Sequence, residues 1–225
     1  PPSTPTLAEI GIDKKTSALA QKLALLPAEQ FEQVKAGTMA VTAALREVRR
    51  ANAKPAPPLV GKYRVIYADP PWSYGNANLQ EYGHASHHYG QRSIDQLCAL
   101  DVMGIAEDKA VLFIWVTSPL LAECFAVIEA WGFKYKTSFV WDKMAHNFGH
   151  YNSVRHEFLL LCTRGSCTPD SDKLTDSVQS IERSKKHSEK PEEFRAIIDE
   201  MYPHGARIEL FARKDVAGWD RWGNE

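Results

Sequence analysis

A chain of 225 residues, 44% hydrophobic and 24% charged, has enough apolar mass for one globular domain with a sizeable core and a small appendage. A formal charge of −1 excludes a broadly basic grip on nucleic acid, so any such partner would be held by local patches. No apolar run approaches the roughly 20 residues that cross a bilayer, and no secretory signal is visible, so a cytoplasmic protein is expected. The chain begins at Pro1, as a trimmed chain would. Four sparse cysteines (Cys98, Cys124, Cys162, Cys167) read as reduced, mostly buried thiols. The spacing of Cys162 and Cys167 fits no zinc site.

Residues 1–5 are Pro/Ser/Thr-rich and read as loose. "TSALAQKLALL" then puts Leu19, Leu23 and Leu26 on one helical stripe, with Thr16 or Ser17 expected as the cap. Pro27 suits the first turn of a second helix, closed by Gly37. "TMAVTAALREVRRANAK" reads as a third. Residues 1–54 are therefore expected to form a helical extension, either helix-turn-helix-like or simply packed. Its basic end (Arg46, Arg49, Arg50, Lys54) is either a phosphate-contacting patch or a solvated helix end. "KPAPP" is a stiff linker, and the main domain is expected over 59–225.

Beyond it, strands are predicted at 63–68, 111–116, 135–141, 156–162 and 207–212, most of them near-continuous apolar runs. Helices are predicted at 93–100, 119–131 and 191–201. The alternation predicts an α/β fold with a mostly parallel sheet, whose ligands collect at the carboxyl ends of the strands. Asp69 and Thr117-Ser118 fall at such ends. The stretch 174–187 is long, polar and charged, a candidate substrate loop.

The first strand ends in "ADPPW". Two prolines fix φ near −65° and remove two N–H groups, which makes a rigid elbow with a carboxylate locked in direction. Trp72 adds a flat apolar face. An exocyclic amine on a purine is a poor nucleophile, because its lone pair is delocalised into the ring. Acceptors aimed at its two hydrogens would favour the rehybridised form and spread the charge that develops on methyl transfer; the Asp69 carboxylate and the Pro70 carbonyl are suitable. An aromatic wall would hold such a base by stacking, worth about 1–3 kcal/mol.

These residues carry a resemblance. "ADPPW" after a hydrophobic strand resembles the catalytic motif of the MT-A-70-like family, the adenine-N6 methyltransferases related to the catalytic subunit of the messenger-RNA N6-adenosine methyltransferase, in its bacterial or phage type. "VLFIWVTS", "AWGFKY", "FVWDK", "GHYNSVRHEFLLLCTRG", "HSEKPEEF" and "RIELFARKDVAGWDRWGNE" follow in family order. The resemblance implies a Rossmann-like methyltransferase sheet in permuted order, catalytic motif first, with S-adenosyl-L-methionine as cofactor. It also accounts for the absence of a G-x-G-x-x-G turn after any strand.

Carried over, Asp69, Pro70, Pro71 and Trp72 would be the catalytic set, with Asp69 and Pro70 also beside the cofactor. Lys190 would approach the cofactor's methionine carboxylate, and Glu209 would accept from its ribose hydroxyls. Leu210, Phe211 and Arg213 would line the adenosine side, with Asn224 and Glu225 nearby. Trp72, Tyr74, Tyr89, Thr117, Lys143 and Arg155 would touch the substrate. The family's extra acidic strand end before the motif is replaced here by "KPAPPLVGK", and the chain ends just after its Gly-Asn pair, so a thinner pocket wall is expected. His84, His87 and His88 suit no standard metal site, and no metal is expected.

The expected partner is nucleic acid, DNA ahead of RNA, with no membrane and with pairing into a homodimer left open. The alternatives are an RNA adenine-N6 methyltransferase, a non-catalytic methyltransferase-like partner, which cofactor titration would separate, or a DNA-binding regulator, which tight operator binding by residues 1–54 would separate.

Overall fold

In the computed structural model, residues 11–52, 57–73, 92–147, 151–184 and 189–223 are described. Strand β1 (Tyr63–Ala68) alternates between two cores. Ile66 and Ala68 join one apolar cluster, while Val65 and Tyr67 join another. A strand buried on both faces must sit inside a sheet covered on both sides.

Among the described residues that sheet has seven strands, in the order β5-β3-β4-β2-β1-β6-β7. The others are β2 (Ala106–Val116), β3 (Lys134–Asn147), β4 (Val154–Arg164), β5 (Val178–Ser180), β6 (Arg207–Leu210) and β7 (Asp220–Trp222). β1 pairs in parallel with β2 and β6, β3 with β5, and β6 with β7. β4 alone is reversed, antiparallel to both β2 and β3. The expected mostly parallel sheet thus carries one opposed strand, because the consecutive strands β3 and β4 pair antiparallel as a hairpin.

Three helices, α4 (Ile94–Cys98), α5 (Val102–Ile105) and α6 (Leu121–Ala130), feed Leu97, Val102, Ile105, Cys124, Val127 and Ile128 into the first cluster. α7 (Glu192–Met201) covers the other face with Phe194 and Ile198. α4 starts in a capping box: the Gln96 N–H donates to Ser93 Oγ at 3.2 Å, and the Ser93 N–H to Gln96 Oε1 at 2.9 Å. From β1 the chain moves to β2 on one side and later returns to β6 on the other. The carboxyl end of β1 is therefore where the winding changes direction, the place for a ligand crevice in such sheets.

Pro1–Pro55 and Ala56–Glu225 are two separate compact units. The first holds α1 (Lys14–Leu23), α2 (Ala28–Lys35) and α3 (Val41–Asn52). The cap of α1 is Asp13 rather than Thr16 or Ser17; its Oδ1 accepts from the Lys15 and Thr16 N–H groups at 2.7 and 2.9 Å. A carboxylate ahead of the helix satisfies two orphan donors at once. Of the expected leucine stripe, Leu26 is buried but Leu19 is exposed. Pro27 caps α2 instead of entering its first turn, and Gly37 closes it at φ 73°. The side chains of Arg46, Arg49 and Arg50, and all of Lys54, lie outside the description. Among the described residues no helix is long and apolar enough to cross a membrane.

Gly223 locks the last strand in place. Its φ is 140°, and a Cβ there would stand 2.9 Å from the Phe211 Cα. Beside it, the Phe211 and Ala212 N–H groups both donate to the Trp222 carbonyl, at 2.6 and 3.2 Å. Gly223→Ala should destabilise the protein by about 1–3 kcal/mol through backbone strain, read as a lowered urea midpoint.

Candidate active site

The elbow after β1 is built as its prolines dictate. With no N–H on Pro70 or Pro71, the segment bonds through carbonyls. The Trp72 N–H donates to the Pro70 carbonyl at 2.8 Å, and the Arg92 N–H to the Pro71 carbonyl at 2.8 Å. A carbonyl has two lone pairs, so Pro70 keeps acceptor capacity. Trp72 itself is only 8% exposed and packs in the first cluster. Its indole N–H donates to the Trp115 carbonyl near the end of β2 at 2.9 Å. In this conformation Trp72 pins the elbow to β2 rather than presenting an open face.

Strand parity sends Asp69 to the α7 side, with Val65 and Tyr67. There it meets Lys190, whose Nζ lies 2.9 Å from Oδ1 and 3.0 Å from Oδ2. Lys190 directly precedes Pro191, the N-cap of α7, so the same dipeptide that starts the helix also delivers the ammonium group. Its Nζ is also 3.3 Å from Glu157 Oε2 and sits over the Trp115 ring, 5.4 Å from its centroid. Glu157 in turn accepts from Lys143. Arg213 approaches Asp69 at 3.9 Å. The result is a line of charge, Arg213–Asp69–Lys190–Glu157–Lys143, with three cations and two acids.

Burial opposes the charge on Lys190, but Asp69 and Glu157 outweigh it and push its pKa up to about 12. Burial would likewise raise Glu157, yet the Lys190 and Lys143 ammonium groups hold it below its ordinary value.

One strand across, Glu209 is the register partner of Tyr67 and shares the α7 face. Its carboxylate accepts from Arg195 at 2.7 Å. Burial raises the pKa of Glu209, and Arg195 opposes the rise. Leu210 is buried, and Phe211 holds a left-handed φ of 64°, uncommon for a side-chain-bearing residue.

The matching family is MT-A70, over residues 63–225. The chain belongs to the MT-A70 family. By that membership it is an adenine methyltransferase. It is 40% identical over 182 residues to the "Type II methyltransferase M.MunI" of Mycoplasma sp, covering 73% of this chain and 78% of that protein. It is 28% identical over 177 residues to a "Putative N(6)-adenosine-methyltransferase MT-A70-like" of Medicago truncatula, covering 74% of this chain and 27% of the relative. To the human "N(6)-adenosine-methyltransferase catalytic subunit METTL3" it is 26% identical over 178 residues, covering 74% of this chain and 29% of that protein. This chain therefore spans only about a quarter of the length of the last two.

In this MT-A70 chain, Asp69, Lys190, Arg213 and Lys143 come together, and Glu157 is the member that sequence reading missed. Its signal was an acid at the start of an otherwise apolar run, "HEFLLLC". Arg195 was missed too, since an arginine in an amphipathic helix reads as surface. Thr117 caps the short turn after β2 and accepts from the Leu120 N–H at 3.0 Å; next to it, Ser118 Oγ lies 3.2 Å from His156 Nε2. Arg155 stands apart on the β3–β4 hairpin, half-exposed and paired with Asp142 at 2.6 Å. Tyr74, Tyr89, Asn224, Glu225, His84, His87 and His88 lie outside the described residues. Among the described residues no three His, Cys, Asp or Glu side chains are grouped to hold a metal.

Glu157→Gln should destabilise the protein by about 3 kcal/mol at neutral pH, because Lys143 and Lys190 lose a buried counter-charge. Glu157 ionises below its ordinary 4.5, so its contribution is present above that pH and lost as pH falls through the native value. The gap between wild type and variant in chemical denaturation should therefore close in acid.

Proposed function

We propose that this MT-A70 chain transfers a methyl group from S-adenosyl-L-methionine to the N6 amine of adenine in nucleic acid, DNA ahead of RNA. The single observation that carries the reading is the Asp69 carboxylate, fixed by the Pro-Pro elbow and set in a line of charge at the carboxyl edge of the sheet. The preference for DNA rests on the higher identity to the Type II methyltransferase than to the N(6)-adenosine-methyltransferases.

The side chains present suit the cofactor chemically. The Lys190 ammonium and the Arg213 guanidinium, both directed at Asp69, suit a carboxylate such as that of a methionine moiety. Glu209 fits a ribose diol, as acids at strand ends do in nucleotide-binding folds. When bound, the cofactor supplies a methyl group made electrophilic by a sulfonium centre.

The protein's part is positioning and charge. Lys190 touches both Asp69 oxygens. Lys190 would hold the cofactor's carboxylate, and an Asp69 oxygen it then releases would accept an amine hydrogen. The spare lone pair of Pro70 takes the second. Acceptors already in place favour the rehybridised amine without the cost of reorganising water. A duplex adenine must leave the stack first, at a cost of a few kcal/mol. Tyr74 and Tyr89 are proposed to border the base, Asn224 and Glu225 the adenosine, and the basic end of α3 to touch phosphates. The permuted strand order belongs to the same proposal.

Purified protein with labelled cofactor should methylate adenine-containing DNA faster than RNA of the same sequence. Asp69→Asn should lower turnover at least about 100-fold, the scale of losing one preorganised charge-stabilising group, while calorimetry still shows cofactor binding. Faster transfer to RNA would reverse the substrate preference. Tight cofactor binding with no transfer to either polymer would defeat the reading.

A further inference from the structure

Arg195 takes no part in the line of charge around Asp69, yet among the described residues it is the arginine most thoroughly enclosed by the fold. It is 7% exposed and lies against two rings, its guanidinium carbon 5.2 Å from the Tyr67 centroid and 5.1 Å from that of Trp219. The slot is itself braced. Tyr67 and Trp219 meet edge-on at 6.1 Å, and the Trp219 indole N–H donates to Asp199 Oδ1 at 3.2 Å. Within the slot, Nη2 donates to Glu209 Oε2 at 2.7 Å and Nε reaches Glu192 Oε2 at 3.3 Å. Nη1 is buried, with no hydrogen-bond partner among the described residues.

An orphan N–H on a buried guanidinium is costly, and native structures avoid it unless another demand fixes the group. Here the demand is visible. The planar fork is held in the corner formed by two rings, and one edge meets Glu209. Arg195 engages Oε2 of Glu209, and a carboxylate has acceptor capacity beyond one bond. The aromatic slot suits a flat guanidinium and not a lysine ammonium.

We propose that Arg195 is a positioning residue for the cofactor ribose: it clamps one oxygen of Glu209 so that the other meets the ribose hydroxyls. The proposal rests on the reading of Glu209 as the ribose acceptor. Arg195 therefore acts on cofactor affinity and on discrimination at the ribose, not on methyl transfer. Glu209 without its clamp can rotate or take a proton, and either change removes the acceptor.

The test is calorimetric binding of S-adenosylhomocysteine and its 2′-deoxy and 3′-deoxy analogues to wild type, Arg195→Met and Glu209→Gln, with steady-state kinetics on the same proteins. Wild type should prefer the parent compound over at least one deoxy analogue by at least about tenfold, as sites built around a hydroxyl do. Arg195→Met should lose most of that preference and raise KM for the cofactor at least about tenfold, with kcat within about threefold, the signature of lost ground-state binding. Undiminished preference in folded Arg195→Met overturns the proposal. If Arg195→Met does not fold, Arg195→Lys keeps the charge without the planar fork. It should lose at least about threefold in preference, and full preference there overturns the proposal equally. Glu209→Gln separates the two layers: full preference in that variant removes Glu209 from the ribose and defeats the underlying reading. Loss in Glu209→Gln with no loss in either Arg195 variant defeats only the role of Arg195.

Discussion

A buried ammonium group between two carboxylates holds the functional edge together. Lys190 bonds to Asp69 and Glu157 in a setting that would otherwise penalise all three charges. Each comes from a different place in the chain: the end of β1, the start of β4 and the residue before the cap of α7. Remove any one and the others are left desolvated without a partner, which costs more than the pairing contributes. The reversed strand makes the arrangement reachable. Because β4 runs against its neighbours, its beginning lies at the edge where β1 and β2 end, with Phe158 opposite Val116 and Glu157 one residue beyond.

Parity does the rest. Val65, Tyr67 and Asp69 point to the α7 face of β1, and Glu209 faces the same way one strand over, opposite Tyr67. A slip of one residue in β1 would turn Asp69 toward α4 and α6, away from Lys190 and Arg213. The buried faces of the strand forbid that slip, since it would also drive Ile66 and Ala68 out of their cluster. The core sets the register, and the register aims the acid.

Much of this was legible in the residues. The run 63–68 matched β1 in full, because a strand covered on both faces is apolar nearly throughout, Arg64 near its start being the exception. The elbow was legible because proline leaves few alternatives, whereas Lys190 was singled out only through the family resemblance, since a lysine before a helix-starting proline is ordinary by itself. Other features left weaker traces. β5 and β7 are three residues each, "VQS" and "DRW", too short and too polar for a periodic signal. The cap of α1 was missed because Thr16 and Ser17 offered nearer candidates than Asp13. Glu157 and Arg195 were not found because periodicity shows which face is apolar, not which charge waits across the sheet. Trp72 is a subtler case: its chemistry suggested a stacking surface, whereas its indole N–H, which needs an acceptor when buried, ties it to Trp115.

Trp115 shows why the two sides of the site are not independent. Its carbonyl accepts from Trp72, on the side of the sheet that α4 and α6 cover. Its ring lies on the opposite side, beneath the Lys190 ammonium and edge-on to Phe194 of α7 at 4.9 Å. Its own indole N–H donates to the Tyr67 hydroxyl at 2.7 Å, and Tyr67 forms one wall of the slot that holds Arg195. One fully buried residue thus touches the elbow, the lysine that faces Asp69 and the wall behind the arginine that clamps Glu209. A close-packed interior transmits displacement rather than absorbing it. The acid, the cation and the elbow are therefore held by a shared tryptophan rather than placed one at a time.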